Sequence, residues 1–101
     1  MSTDPSTIAA LFDALAAEWK EATLPLSSTP AITAHPSYRA VIALGWPAVP
    51  LILKDLEREP AHWFEALETI TGANPIAPAD WGKMLKMAAV WVAWGRQRGL
   101  I

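Results

Sequence analysis

The stretch ALGWPAVPLILKDL, residues 43–56, decides the fold that this chain is expected to adopt. One predicted helix ends at Gly45, because glycine tolerates the left-handed dihedral angles of a helix exit. A second is predicted to begin at Pro47, since the first turn of a helix does not need the amide proton that proline lacks. A corner this tight makes two helices lie side by side. The stretch therefore predicts an all-α domain with an antiparallel helix pair at its centre.

The helix after this corner is predicted to run over residues 47–59 and to end before Pro60. Its apolar residues follow the i, i+3, i+4, i+7 spacing of one buried face: Val49, Ile52, Leu53 and Leu56. The charged residues between them, Lys54, Asp55, Glu57 and Arg58, are expected to face water. Pro50 falls within the first turn, where a missing amide proton is still tolerated.

Apolar residues at helical spacing predict four more helices, over residues 5–22, 36–44, 61–71 and 80–98. Asp4 is a candidate N-cap for the first and Asp80 for the last. Gly72 and Gly99 are the expected exits of the last two. The result is a compact bundle of about five helices.

Residues 23–35 are predicted to form a connector, because Pro25 and Pro30 interrupt any helical pattern. Its three large apolar residues, Leu24, Leu26 and Ile32, are expected to pin it to the core.

The last helix is apolar over more than half of its circumference. Met84, Met87, Ala88, Trp91 and Trp94 share one face, with Leu85, Val90 and Val92 on its flanks. A helix packed on a single core needs an apolar stripe of only about 100° or somewhat more. We therefore expect this helix either to lie centrally in the fold or to contact a second chain.

Composition limits the class of protein. With 101 residues, the chain is expected to form a single domain, residues 1–101, and its hydrophobic fraction of 52% is high for that length. The chain has no cysteine, which excludes disulfides and thiolate metal sites. No run approaches the roughly 18 apolar residues that cross a bilayer, so no membrane association is expected. The first residues lack the basic start of a secretory signal, which makes the cytoplasm the expected location.

Charge is distributed unevenly along the chain. Residues 1–80 hold all ten acidic residues and four basic ones, whereas residues 81–101 hold four basic residues and no acid. Those four are Lys83, Lys86, Arg96 and Arg98. A basic end can attract an acidic partner or nucleic acid, or it can pair with the acidic body of its own chain. Nucleic acid is the less favoured partner, because these residues are spread around the helical wheel and an acidic body repels phosphate.

Two resemblances accompany these patterns. The run ALGWPAVPLILKDLEREPAHWFEALETITG, residues 43–72, resembles a single HEAT-type helical hairpin, which implies a partner-binding scaffold. Wider elements, His35-Pro-x-Tyr, His62-Trp-Phe-x-Ala-Leu, Ile70-Thr-Gly-x-x-Pro and Trp91-x-x-Trp-Gly, resemble a group of small uncharacterised bacterial helical proteins, some from mobile or plasmid regions. That resemblance implies a bacterial origin and a stand-alone domain.

Catalytic patterns are weak in this sequence. His35, which directly precedes Pro36, is expected to cap backbone amides or to pack on Tyr38, and His62 is expected on a solvent face. No pattern links either histidine to a nucleophile, and no glycine cluster forms a phosphate loop. We expect no enzyme activity, no cofactor and no metal, with a small enzyme using His35 or His62 as an alternative.

The tryptophans carry the strongest binding signal, because tryptophan is enriched at interface hot spots. The residues expected to contact a partner protein are Trp46, Trp81, Leu85, Val92 and Trp94. The leading hypothesis is a non-catalytic protein–protein interaction module that binds itself or another protein. An antitoxin-like or immunity-like partner protein is one form of it, suggested by the resemblance to mobile-region proteins. A nucleic-acid-associated regulator that uses the basic last helix is the other alternative.

Overall fold

A computed structural model describes residues 5–101, so the predicted cap at Asp4 lies outside the described residues. These residues contain six α-helices, two 3-10 turns and no strand, which confirms the all-α prediction. The helices are α1 (Pro5–Thr23), α2 (Thr29–Thr33), α3 (Pro36–Leu44), α4 (Val49–Arg58), α5 (Phe64–Thr71) and α6 (Met84–Gln97), and the 3-10 turns are Trp46–Ala48 and Pro78–Asp80. Within residues 5–101, no helix combines the length and hydropathy needed to cross a bilayer.

The corner after α3 lies where the sequence places it. Gly45 has φ 74° and ψ −153°, a backbone conformation that is essentially restricted to glycine. The chain then makes the 3-10 turn that contains Pro47, and the amide of Ala48 donates to the Gly45 carbonyl at 3.0 Å. The predicted start at Pro47 is therefore a 3-10 turn, and α4 itself begins two residues later at Val49.

Three other local predictions are corrected. The connector contains the short helix α2, whose residues Thr29–Thr33 include a proline in the first turn. The start of α5 moves from residue 61 to Phe64, because the amide of Trp63 forms a tight turn with the Ala61 carbonyl at 2.8 Å. Asp80 does not cap α6. Its carbonyl accepts from the amide of Lys83 at 3.0 Å, and Lys83 is the N-cap residue.

Helix packing divides the molecule into two main contacts. Helix α1 packs along α3, and α4 packs along α6, whereas α3 and α4 contact each other little directly and meet through the 3-10 turn between them. Gly95 lies within α6 where that helix crosses Leu53 of α4. A Cβ at Gly95 would lie 2.5 Å from Cδ1 of Leu53, so this glycine permits the close approach of α4 and α6.

An aromatic cluster forms the centre of the core. Trp19 of α1 lies 4.4 Å from Trp63 and 5.0 Å from Tyr38 of α3, measured between ring centroids, and Phe12 lies 5.6 Å from Trp63. The Tyr38 hydroxyl donates to the His62 carbonyl at 2.8 Å and accepts from the amide of Ala66 at 2.9 Å. Burial raises the pKa of Tyr38 well above its ordinary value, so this hydroxyl keeps its proton. The cluster thereby ties α1, α3 and α5 together.

Asp55 of α4 is buried, although its position in the sequence predicts a water-facing side chain. The carboxylate accepts hydrogen bonds from Nζ of Lys20 at 2.7 Å, from Nε1 of Trp63 at 2.8 Å and from Nη2 of Arg58 at 2.7 Å. Burial by itself raises the pKa of this carboxyl, but the hydrogen bonds from Lys20, Trp63 and Arg58 and the charge of Lys20 outweigh it, and the net pKa is lowered. Asp55 therefore joins α1, α4 and the start of α5 as an ionised, hydrogen-bonded group.

Candidate binding site at the apolar end

The structure divides the five predicted partner-binding residues into an exposed and a buried group. Trp46, Trp81 and Leu85 are exposed. Val92 and Trp94 are only 6% and 7% exposed, so little of either side chain is accessible to a partner in this structure.

The packing of α6 explains why Val92 and Trp94 are covered. Val92 lies on the side of α6 that packs along α4. Trp94 meets Trp91 edge-on at 5.2 Å between ring centroids, and the Arg98 guanidinium lies 4.4 Å from its ring. The molecule itself therefore covers most of the wide apolar arc of the last helix, and Leu85 is its strongly exposed member.

Trp46 lies apart from Trp81 and Leu85. It begins the 3-10 turn that precedes α4, whereas Leu85 borders a depression near Pro60, which follows α4. A helix of ten residues is about 15 Å long. Trp46 is also not among the residues that line the depressions bordered by Trp81 and Leu85, so we treat it apart from them.

Two leucines that the sequence places in the core are instead on the surface. Leu24 is 81% exposed and Leu26 is 42% exposed, while Ile32 alone of the three connector residues is buried. The reason is that Ile32 lies on α2, whose carbonyl at Ile32 accepts from the Trp19 indole at 2.8 Å. The connector is thus fixed by α2, and Leu24 and Leu26 remain outside.

These exposed residues gather around adjoining depressions. Leu24 and Leu26 border a depression together with His62 and Met84, which also line the depression that contains Trp81. Pro60 links the first depression to the one that contains Leu85. We call this surface the apolar end and define it by Leu24, Leu26, Trp81 and Leu85. It holds four of the six exposed large apolar side chains within residues 5–101.

One depression at the apolar end is a cleft of about 480 Å³ between α5, the loop that precedes α6 and the first turns of α6. We call it the α5–α6 cleft. Its apolar walls are formed by Phe64, Ile76, Trp81, Met84, Met87 and Trp91. The sequence puts Trp91 on the apolar face of the last helix, but only the packing of α5 and the loop shows that space remains beside it.

Carboxylates are the charged groups of the α5–α6 cleft. Glu65 and Glu68 line it, and no lysine or arginine is among its lining residues within residues 5–101. Glu65 pairs with Arg39 at 3.2 Å. Glu68 forms no ion pair within the part of the chain that the structure describes. One carboxylate at the cleft is therefore available to a cation.

The two histidines have different surroundings. Nδ1 of His35 accepts from the amide of Ser37 at 3.1 Å, which confirms the expected cap at the start of α3. His62, expected on a solvent face, is half-buried and lines the α5–α6 cleft. Its imidazole has no hydrogen-bond partner within residues 5–101, whereas a general base is normally oriented by a further group. The same residues contain no cluster of three side chains able to hold a metal ion.

The basic residues of the last segment are divided between the chain's own body and solvent. Arg96 pairs with Glu57 of α4, and Arg98 lies over the ring of Trp94. Lys83 and Lys86 are exposed. Half of the basic charge is therefore engaged within the molecule.

Comparison of the chain with protein-family models, with curated proteins and with solved structures finds no match.

Proposed function

We propose that the chain is a non-catalytic, cytoplasmic protein-binding module that recognises its partner through the apolar end. The observation that carries the proposal is the concentration of Leu24, Leu26, Trp81 and Leu85 around connected depressions. Scattered exposed apolar residues are normal on a soluble protein, but a contiguous group beside concave surface is typical of an interaction site.

The composition of the apolar end is consistent with an interface core. Large apolar and aromatic side chains are enriched at the centre of interfaces, with polar residues at the rim. Here Trp81 provides the aromatic anchor, and exposed charged residues such as Lys83 and Lys86 flank the surface. Association would remove Leu24 and Leu85, the two most exposed large apolar side chains of the described residues, from water.

A second copy of the chain is the first occupant to test. Lys83 directly precedes Met84, and Met84 lines the α5–α6 cleft that Glu65 and Glu68 also line, so two copies related by a two-fold axis can oppose unlike charges. A different protein partner is the other form of the proposal. The resemblance to mobile-region proteins makes an antitoxin-like or immunity-like partner one such case.

Sedimentation equilibrium and light scattering test self-association directly. The 11.0 kDa chain is expected to show a concentration-dependent increase in mass. Replacing Leu24 and Leu85 together by serine should abolish the increase, because both apolar contacts are lost. Leu11→Ser is the matched control, since Leu11 is also an exposed leucine but lies on α1 outside the apolar end.

A monomeric wild-type chain at high micromolar concentration would reject the self-association form. The hetero-partner form is then tested by capture from the native host with the wild-type chain and the Leu24→Ser, Leu85→Ser double variant side by side. A partner retained equally by both proteins would contradict binding through the apolar end.

The alternatives have less support. Arg96 and Arg98 contact their own chain, which weakens the case for a nucleic-acid-associated regulator. His62 lies in a cleft but has no orienting partner among residues 5–101, and His35 is engaged as a helix cap, so a small enzyme is also less well supported.

A further inference from the structure

The α5–α6 cleft has the dimensions of a small-ligand site. Clefts that bind small molecules typically enclose about 300–1,000 Å³ and combine apolar walls with a few polar groups. This cleft has a volume of about 480 Å³ with aromatic and methionine walls. The binding of a protein to the outer leucines of the apolar end does not by itself use this interior space.

The charges at the cleft favour a cation over an anion. Glu68 has no ion pair and Glu65 has one, while no lysine or arginine side chain lines the cleft within residues 5–101. Carboxylates beside low-dielectric walls create a negative potential that concentrates cations. The half-exposed indole of Trp81 adds an aromatic face, on which an ammonium group is also stabilised.

Trp91 provides a second, independent indication. Its side chain lines the cleft, the residue is only 1% exposed, and Nε1 has no hydrogen-bond partner among the residues described. Indole N–H groups usually find an acceptor when they are buried. The indoles of Trp19 and Trp63 do so in this molecule, each at 2.8 Å. Nε1 itself is covered by protein, so a ligand oxygen can supply the missing acceptor only when the wall of the cleft moves to admit it.

We propose that the α5–α6 cleft binds a small apolar amine that also carries a hydrogen-bond acceptor, of the size of an amino-acid amide. The ammonium group lies at Glu68, the apolar part contacts the aromatic and methionine walls, and the acceptor oxygen receives the N–H of Trp91. The ligand site shares Trp81 with the apolar end, but it does not rest on the proposed protein-binding function, and either can hold without the other.

The test uses three probes that separate charge from apolar contact. L-Phenylalaninamide carries the ammonium, the carbonyl and an apolar ring, N-acetyl-L-phenylalaninamide lacks the charge, and glycinamide lacks the ring. Titrations are followed by calorimetry at about pH 6, where an α-amine is protonated. Phenylalaninamide is expected to bind saturably with one site, and each of the other probes at least about tenfold more weakly, as loss of one charge-assisted contact or of ring burial implies.

Two variants locate the charge effect. Glu68→Gln is expected to weaken phenylalaninamide binding about tenfold and to leave N-acetylphenylalaninamide unchanged, because the substitution removes a charge but keeps the shape. Glu18→Gln is the matched control, since Glu18 is an exposed glutamate on α1 outside the cleft. Both positions are on the surface, so both variants are expected to fold as the wild type does.

The resonance of the Trp91 indole N–H tests whether this group contacts the ligand, because the resonance of a tryptophan with a purely structural role would not change on ligand addition. In a proton–nitrogen correlation spectrum of the wild-type protein, its resonance is expected to shift downfield on addition of phenylalaninamide, while those of Trp19 and Trp63 stay in place. No saturable binding of phenylalaninamide would overturn the proposal. Equal binding of the charged and acetylated probes, or a Trp91 resonance that does not move at saturation, would also overturn it.

Discussion

Three buried tryptophans of this molecule have different surroundings. Trp19 and Trp63 belong to one region, and Trp91 belongs to another. All three are at most 2% exposed. The N–H of Trp19 donates to a backbone carbonyl and that of Trp63 to the Asp55 carboxylate, but the N–H of Trp91 has no acceptor within residues 5–101. The first two indoles lie where α1, α2, α4 and the start of α5 meet, whereas Trp91 lies beside the α5–α6 cleft.

This difference separates a structural role from a candidate binding role. A buried polar group with its partner in place connects elements and defines one packing arrangement, whereas an unpaired one raises the free energy of the folded state. Where the unpaired group also borders a cleft, a ligand can supply the partner. The paired region should therefore respond to mutation through stability, and the cleft region through binding.

The largest expected effect is the loss of Asp55. Asp55→Ala leaves the indole N–H of Trp63 and the ammonium group of Lys20 without their acceptor, so we expect the free energy of unfolding to fall by about 3 kcal/mol, as for a broken buried ion pair. Urea denaturation followed by circular dichroism measures the change. Asp13→Ala, at an exposed position on α1, should change the free energy by less than about 0.5 kcal/mol. Equal losses in the two variants would show that Asp55 does not connect the helices.

Acidification should reduce the contribution of Asp55 to the free energy of unfolding more gradually than the substitution does. The pKa of Asp55 is lowered in the folded state, so the unfolded chain binds a proton at a higher pH than the folded one does. The stabilisation is therefore complete above the unfolded pKa of about 3.9 and is lost as pH falls through the lower folded pKa. Urea denaturation between neutral and acidic pH should show this loss in the wild type, and Asp55→Ala should show a shallower dependence. Parallel profiles for the two proteins would contradict the role given to Asp55.

The smallest expected effect is a difference in stability between two conservative replacements. Trp63→Phe and Trp91→Phe remove similar volume from the interior, but only the first removes a hydrogen bond that the structure shows. We expect Trp63→Phe to be the more destabilising by about 1.5 kcal/mol, the value of a buried hydrogen bond to a charged group. Thermal and urea unfolding of both variants measure the difference. A larger loss for Trp91→Phe would mean that its N–H contributes to folding, and the contrast between the two regions would then fail.

The candidate site was only partly predictable. The sequence indicates Trp81 because tryptophan is typical of interfaces, and Leu85 because it lies on the flank of an unusually apolar helix. It predicts a core position for Leu24 and Leu26, since an apolar residue in a connector gives no sign of which side it faces. Val92 and Trp94 have the same pattern as Leu85, and only the packing of α4 and Arg98 against α6 buries them.

The sequence by itself determined the helical class and several helix limits. The end of α3 at Gly45, the left-handed exit of α5 at Gly72 and the cap at His35 follow from local preferences that act over a few residues. The tertiary structure alone decided that Asp55 is buried, that α3 packs on α1 while α4 packs on α6, and that a cleft opens beside Trp91. These features depend on contacts between groups that are far apart in the chain, such as Lys20 and Asp55. Such contacts stabilise the protein only after the helices have packed together.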